Sequence, residues 1–114
     1  MNRSLGNVMA DSLEQCLRYA ERLLNDVKPE QFARFAVVNG KVIESNHPAF
    51  VYGHLSLYGP RILSELGQPG PVAPESFDAV FSKDSKCIDD PNGTIYPAMA
   101  AVTQAFFDGY KATV

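Results

Sequence analysis

The sequence predicts an all-α fold, a small helical bundle in a single domain over residues 1–114. Two observations carry this. Three long segments place apolar residues at the i, i+3, i+4, i+7 spacing of an amphipathic helix. The hairpin signal at Asn39-Gly40 is flanked by runs too short to build a sheet of their own.

The first segment runs over about 8–27. Its apolar positions are Met9, Leu13, Cys16, Leu17, Ala20, Leu23, Leu24 and Val27, with Glu14, Gln15, Arg18, Glu21, Arg22, Asn25 and Asp26 opposite. Glu14 and Arg18 stand four apart, where unlike charges meet on a helix surface. Pro29 stops the helix.

The second segment runs over about 47–66. Asn46 is a natural N-cap, and Pro48 falls in the first turn, where its missing N–H is harmless. Val51, His54, Leu55, Tyr58, Ile62 and Leu66 form one stripe, and Gly67 suits a left-handed C-terminal cap. Gly59-Pro60 interrupts the segment and predicts a kink. The third segment, about 97–114, places Ala98, Met99, Val102, Ala105, Phe106, Gly109 and Tyr110 on one face. Its pattern is still helical at Val114.

Two connections join these segments. Residues 28–46 hold a short helical turn in Pro29-Glu30-Gln31-Phe32, then Asn39-Gly40, read as a turn in a long loop. Residues 68–96 are rich in Gly, Pro, Ser and Asp. A connection of that length implies a binding or capping role, and Ser76 to Phe81 suits one short helical turn within it.

Composition narrows the function classes. The apolar share of 46% and charged share of 20% are those of a globular chain. Ten basic against thirteen acidic residues, with no basic block, argue against nucleic acid or an anionic membrane as partner. No apolar run approaches the ~20 residues of a membrane span. The opening residues, MNRSLGNVMADSLEQ, lack the apolar core of a secretory leader. Two cysteines, Cys16 and Cys87, make no disulfide framework, and a cytoplasmic setting is expected.

His54 is the first candidate for chemistry. One reading makes it a metal ligand or general base. The other makes it a core histidine bonded to a neighbouring backbone group. His47 lies seven residues earlier, roughly 10 Å along the axis. That is too far to share a metal, so His47 reads as a capping or packing residue. Cys16 reads as a buried apolar filler. Cys87 stands near Lys83 and Lys86, which favours its thiolate. Asp84, Asp89, Asp90, Asn92 and Gly93 lack the spacing of a calcium loop and read as a solvated loop.

The stretch Ser45-Asn46-His47-Pro48-Ala49-Phe50-Val51-Tyr52-Gly53-His54-Leu55, closing at Glu65-Leu66-Gly67, resembles the second helix of the DinB/YfiT-like family, whose members read N-x-P-aromatic-x-x-G-H-L. Tyr96-Pro97-Ala98-Met99, leading to Phe106-Phe107-Asp108-Gly109-Tyr110, is similar to the start of that family's third helix. The resemblance runs in order over nearly the whole chain. It implies an up-down-down-up four-helix bundle with a long crossover. It also implies a divalent metal, Zn or Ni, held by three histidines. The ligand from the second helix would be His54, and the other two would be an H-x-x-x-H pair on the fourth helix. Some relatives are thiol-dependent transferases.

These 114 residues carry only three main helices, and no histidine follows His54. On the resemblance, the three-histidine site is incomplete within them and the domain lacks its fourth helix. Two functions follow. One is a metal-dependent enzyme, a hydrolase or thiol-dependent transferase acting on a small molecule, with His54 as metal ligand. The other is a non-catalytic interaction or assembly module, with His54 pinning the crossover through a loop carbonyl. Either way, an apolar groove left without its fourth helix predicts a homodimer that covers it.

Overall fold

A computed structural model describes residues 4–114 of the chain. It is mostly helical with one small antiparallel sheet. The order is α1 (Leu5–Leu23), a 3-10 turn (Pro29–Gln31), β1 (Ala36–Val38), β2 (Lys41–Ile43), α2 (Pro48–Ser56), α3 (Tyr58–Glu65), α4 (Phe77–Phe81) and α5 (Met99–Thr113). The molecule is long and narrow, 55 × 29 × 22 Å, with a radius of gyration of 15.6 Å. A compact chain of this length would have about 13 Å.

α1 starts three residues before its periodicity predicts, because Ser4 caps it by accepting from the N–H of Asn7 at 3.1 Å. The expected Glu14–Arg18 pair forms at 3.7 Å on the exposed face. The apolar stripe is split. Leu17 is buried and Leu13, Ala20 and Leu24 are half-buried, whereas Met9, Cys16 and Leu23 are exposed. Cys16 is therefore a surface thiol and not a core filler. It sits about 100° around the helix from Leu17.

The hairpin corrects the loop expectation. Asn39 and Gly40 both take positive φ, 52° and 78°, as a two-residue type I′ turn requires. They close a ladder that pairs Ala36 with Ile43 and Val38 with Lys41. As the short flanks implied, no third strand joins it among the described residues, and both strands are exposed.

The second predicted helix is two helices broken at Leu57, as the kink expectation requires. Pro60 has no N–H for the carbonyl of Ser56, and its ring presses on that turn. The buried face is not the predicted one. Ala49, Tyr52, Gly53, Ser56, Gly59 and Leu63 face inward, while Val51, Leu55, Ile62 and Leu66 are exposed. Both faces have helical spacing. Small residues occupy the inner one because neighbouring elements approach closely there. A Cβ on Gly59 would stand 2.9 Å from the backbone of Gly109 on α5.

α5 buries Val102, Phe106 and Gly109, the face its sequence predicts. It packs on α1, α2 and α3. The core gathers Phe32, Phe77, Phe81 and Val102, all almost fully buried. Tyr52 meets Phe106 edge-on at 4.8 Å and donates its hydroxyl to Ala20 O of α1 at 2.6 Å. No helix among the described residues is long and apolar enough to cross a membrane.

Candidate functional site

His54 stands on α2, half-buried, at the edge where the helix meets α4. Its Nδ1 lies 2.7 Å from the carbonyl oxygen of Phe81. A carbonyl only accepts, so Nδ1 carries the proton and donates. In the neutral ring that leaves Nε2 with a bare lone pair. The ring lies parallel to Phe50 at 5.8 Å and meets Tyr58 edge-on at 5.2 Å. Nearby, the Tyr110 hydroxyl donates to Leu55 O at 2.9 Å, tying α5 to this turn.

The Gly53-His54 pair thus has one target. Gly53 admits the ring of Phe81, since a Cβ there would lie 2.4 to 2.5 Å from three of its ring positions. His54 takes the carbonyl of that same residue. Phe81 closes α4, the short helix predicted at Ser76 to Phe81, and is 0% exposed among Phe50, Phe77 and Tyr96. The connection between α3 and α5 is therefore wedged and bonded to α2 at one point.

His47 fixes it at a second point. His47, and not Asn46, is the N-cap of α2: its Nδ1 accepts from the N–H of Phe50 at 3.1 Å. Its Nε2 donates to Ile88 O at 2.7 Å. The neutral ring with its proton on Nε2 satisfies both. The residue is 3% exposed and packs on Phe35 and Tyr96. The expected capping and packing role is the one observed, and both ring nitrogens are occupied.

The acidic loop is not simply solvated. Asp90 is 5% exposed. It accepts N–H bonds from Thr94, Ile95 and Tyr96 at 3.0 to 3.1 Å. Its burial pushes the carboxyl up, but these N–H groups outweigh that and hold it below the ordinary carboxylate value. A carboxylate surrounded by donors is the opposite of a cation site. Asp89 bonds the Nε of Arg34 at 2.9 Å and the N–H of Phe35 at 3.0 Å. Those bonds hold its carboxyl below the usual range. Tyr96 completes the network, its hydroxyl oxygen accepting from the N–H of Ile88 at 3.0 Å.

Cys87 does not behave as its lysine neighbours suggested. Burial pushes its thiol up, a hydrogen bond from the His47 backbone opposes this, and Asp89 adds to the rise. Lys83 and Lys86 are both exposed, and Lys86 stands on the rim of the same cleft as the thiol. The thiol lines a cleft with Phe35, Glu44, Ser45 and Asn46, of which His54 is not a wall.

A metal needs several ligands converging on one point. Among the described residues, no group of three or more His, Cys, Asp or Glu side chains could hold one ion. His54 is one oriented imidazole and not a completed centre. Sequence reasoning singled out His54 but missed Phe81, Asp90 and Tyr96. The signal for Phe81 was Gly53, a helical glycine whose partner only the fold reveals. No family model matches this chain, and comparison with curated proteins and with solved structures found no match to either.

Proposed function

We propose that this chain is a helical bundle of the DinB/YfiT-like type, in which His54 is the imidazole prepared for the family's metal-dependent chemistry. The observation supporting this is the bond from His54 Nδ1 to Phe81 O at 2.7 Å. Metal-ligating histidines are oriented in this way, one ring N–H held by a carbonyl and the other nitrogen presented bare. α1, the broken helix α2–α3 and α5 stand for the first three helices of the up-down-down-up bundle. The segment between Glu65 and Met99 stands for its long crossover. Zn or Ni would need further ligands beyond His54, and the described residues do not supply them. The reaction class that the resemblance implies is hydrolysis of a small molecule or thiol transfer to it. Two unpaired cysteines fit a reduced, cytoplasmic setting.

The same hydrogen bond favours a second reading, in which the chain is a non-catalytic module and His54 only pins the crossover. The two separate by substitution. Asparagine places an N–H near the position of Nδ1 but offers nothing at Nε2. In the metal reading, added Ni²⁺ broadens the ring-proton NMR signals of His54 and spares those of His47, whose nitrogens are both engaged. His54→Asn abolishes metal binding at near-native stability. In the pinning reading, no selective broadening occurs. In both, His54→Ala lowers stability by about 1–2 kcal/mol. Absence of selective broadening at His54 would remove the metal reading for this chain.

A further inference from the structure

We propose that the pocket between α5 and the proline-rich segment after α3 binds a small ammonium ligand with an apolar body. The pocket has a volume of about 220 Å³. At ~30 Å³ per water molecule it has room for roughly seven, so its ligand is smaller than drug-sized. The segment contributes Pro71, Val72 and Pro74, α3 contributes Pro60, and α5 contributes Ala101 and Ala105. His54 is not among its walls. The shape is held without a ligand. The N–H of Gln68 donates to Leu63 O and that of Phe77 to Pro74 O, both at 2.9 Å, which anchors the segment at each end. Between these anchors Gly70 sits against Leu63, where a Cβ would lie 2.4 Å from Leu63 Cδ1. Proline rings have little conformational freedom with which to close over the alanines of α5. Val72 remains 81% exposed beside the opening, apolar surface that the chain leaves in water.

The charge of the pocket chooses the ligand. Gln104 and Asp108 stand four apart on α5, so they share the helix face that borders the pocket. Among the described residues Asp108 takes part in no ion pair. The one cation of α5, Lys111, lies over the ring of Phe107 at 5.7 Å and lines a groove beside α1 instead. Arg61, next to Pro60, pairs with Glu65 at 3.7 Å. The pocket is therefore lined by a carboxylate and a carboxamide and by no basic residue. That arrangement suits a ligand whose ammonium donates to Asp108 while its apolar body lies against the prolines and Val72. The Gln104 carbonyl can accept a second N–H of the same ammonium. An anionic head group in that place would meet a like charge.

Phenethylamine is the probe, titrated into the full chain near neutral pH and followed by backbone amide NMR. It is expected to shift the signals of Val72, Ala101, Gln104 and Asp108 together, saturating in roughly the millimolar range of a ligand this small. The control 2-phenylethanol has the same body with a hydroxyl in place of the ammonium, and should bind at least about 10-fold more weakly. Asp108→Asn should weaken phenethylamine by a similar factor. Ala101→Leu fills the pocket from an exposed position with a good helix former, so it should abolish the shifts and leave the helical circular dichroism unchanged. The proposal is overturned by the lack of any saturable shift up to about 20 mM, well above the expected range. Equal binding of the alcohol, or binding that either variant leaves undiminished, overturns it as well.

Discussion

Gly53→Ala is expected to lower the unfolding free energy by about 3 kcal/mol, a large part of the 5–15 kcal/mol that holds a typical domain together. Alanine is the better helix former, so local propensity alone predicts a gain of roughly 1 kcal/mol. The tertiary contact reverses the sign. The new Cβ would lie 2.4 to 2.5 Å from three atoms of the Phe81 ring. Something must move, and Phe81 has nowhere to go. It is stacked on Tyr96 at 5.5 Å and meets Phe77 edge-on at 5.2 Å. Any shift of Phe81 also pulls its carbonyl from His54. Urea melts of Gly53→Ala, Phe81→Leu and the double variant check this. The double variant should be more stable than the two single losses predict, by at least about 1 kcal/mol, because a smaller side chain leaves room for the methyl group. Additive losses, or an alanine variant within 0.5 kcal/mol of wild type, would remove the wedge from the account.

Asp90→Ala is expected to cost about as much, roughly 3 kcal/mol, for a different reason. It removes the acceptor from three backbone N–H groups at Thr94, Ile95 and Tyr96 in a segment that packs against the core. An unsatisfied buried donor costs about 1–3 kcal/mol, which falls in full on the buried Tyr96 N–H and in part on those of the more exposed Thr94 and Ile95. A drop in melting temperature of about 15 °C corresponds to such a loss at this chain length. Asp90→Asn keeps one oxygen and should fall between alanine and wild type. The pH dependence follows from the same bonds. Since the folded carboxyl sits below its ordinary value of 3.8, its contribution is present above that value. It is lost as the pH falls through the lower, folded value. Wild type should therefore lose stability below about pH 4 more steeply than Asp90→Asn. Parallel acid melts for the two would contradict this assignment.

Much of the fold was legible along the chain. The helices, the break before Pro60, the α4 turn and the capping role of His47 follow from spacing and from what Pro and Asn do to a backbone. The inner face of α2–α3 was not legible. A search for apolar residues picks Val51, Leu55 and Ile62, whereas the structure buries Ala49, Gly53, Ser56 and Gly59. Small residues carry little hydrophobic signal. They are selected by the closeness of a neighbour, here Phe81 and the backbone of Gly109, and a neighbour distant in sequence leaves no mark in local periodicity. The hairpin was underestimated because its stability rests on the turn geometry of Asn39 and Gly40 more than on strand length.

The same division holds for the candidate site. The sequence by itself singled out His54 as a candidate and showed that these 114 residues contain no histidine after it. It determined the Asn39-Gly40 turn and the existence of the helices, which are local. Only the tertiary structure decided which nitrogen of His54 is bare, because the Phe81 carbonyl that accepts its Nδ1–H bond is 27 residues away. Only it turned Asp90 from a solvated acid into a buried carboxylate and Cys16 from a core residue into a surface thiol. Hydrogen bonding and burial are relations between distant segments, and they exist only once the connection between α3 and α5 has closed onto α2.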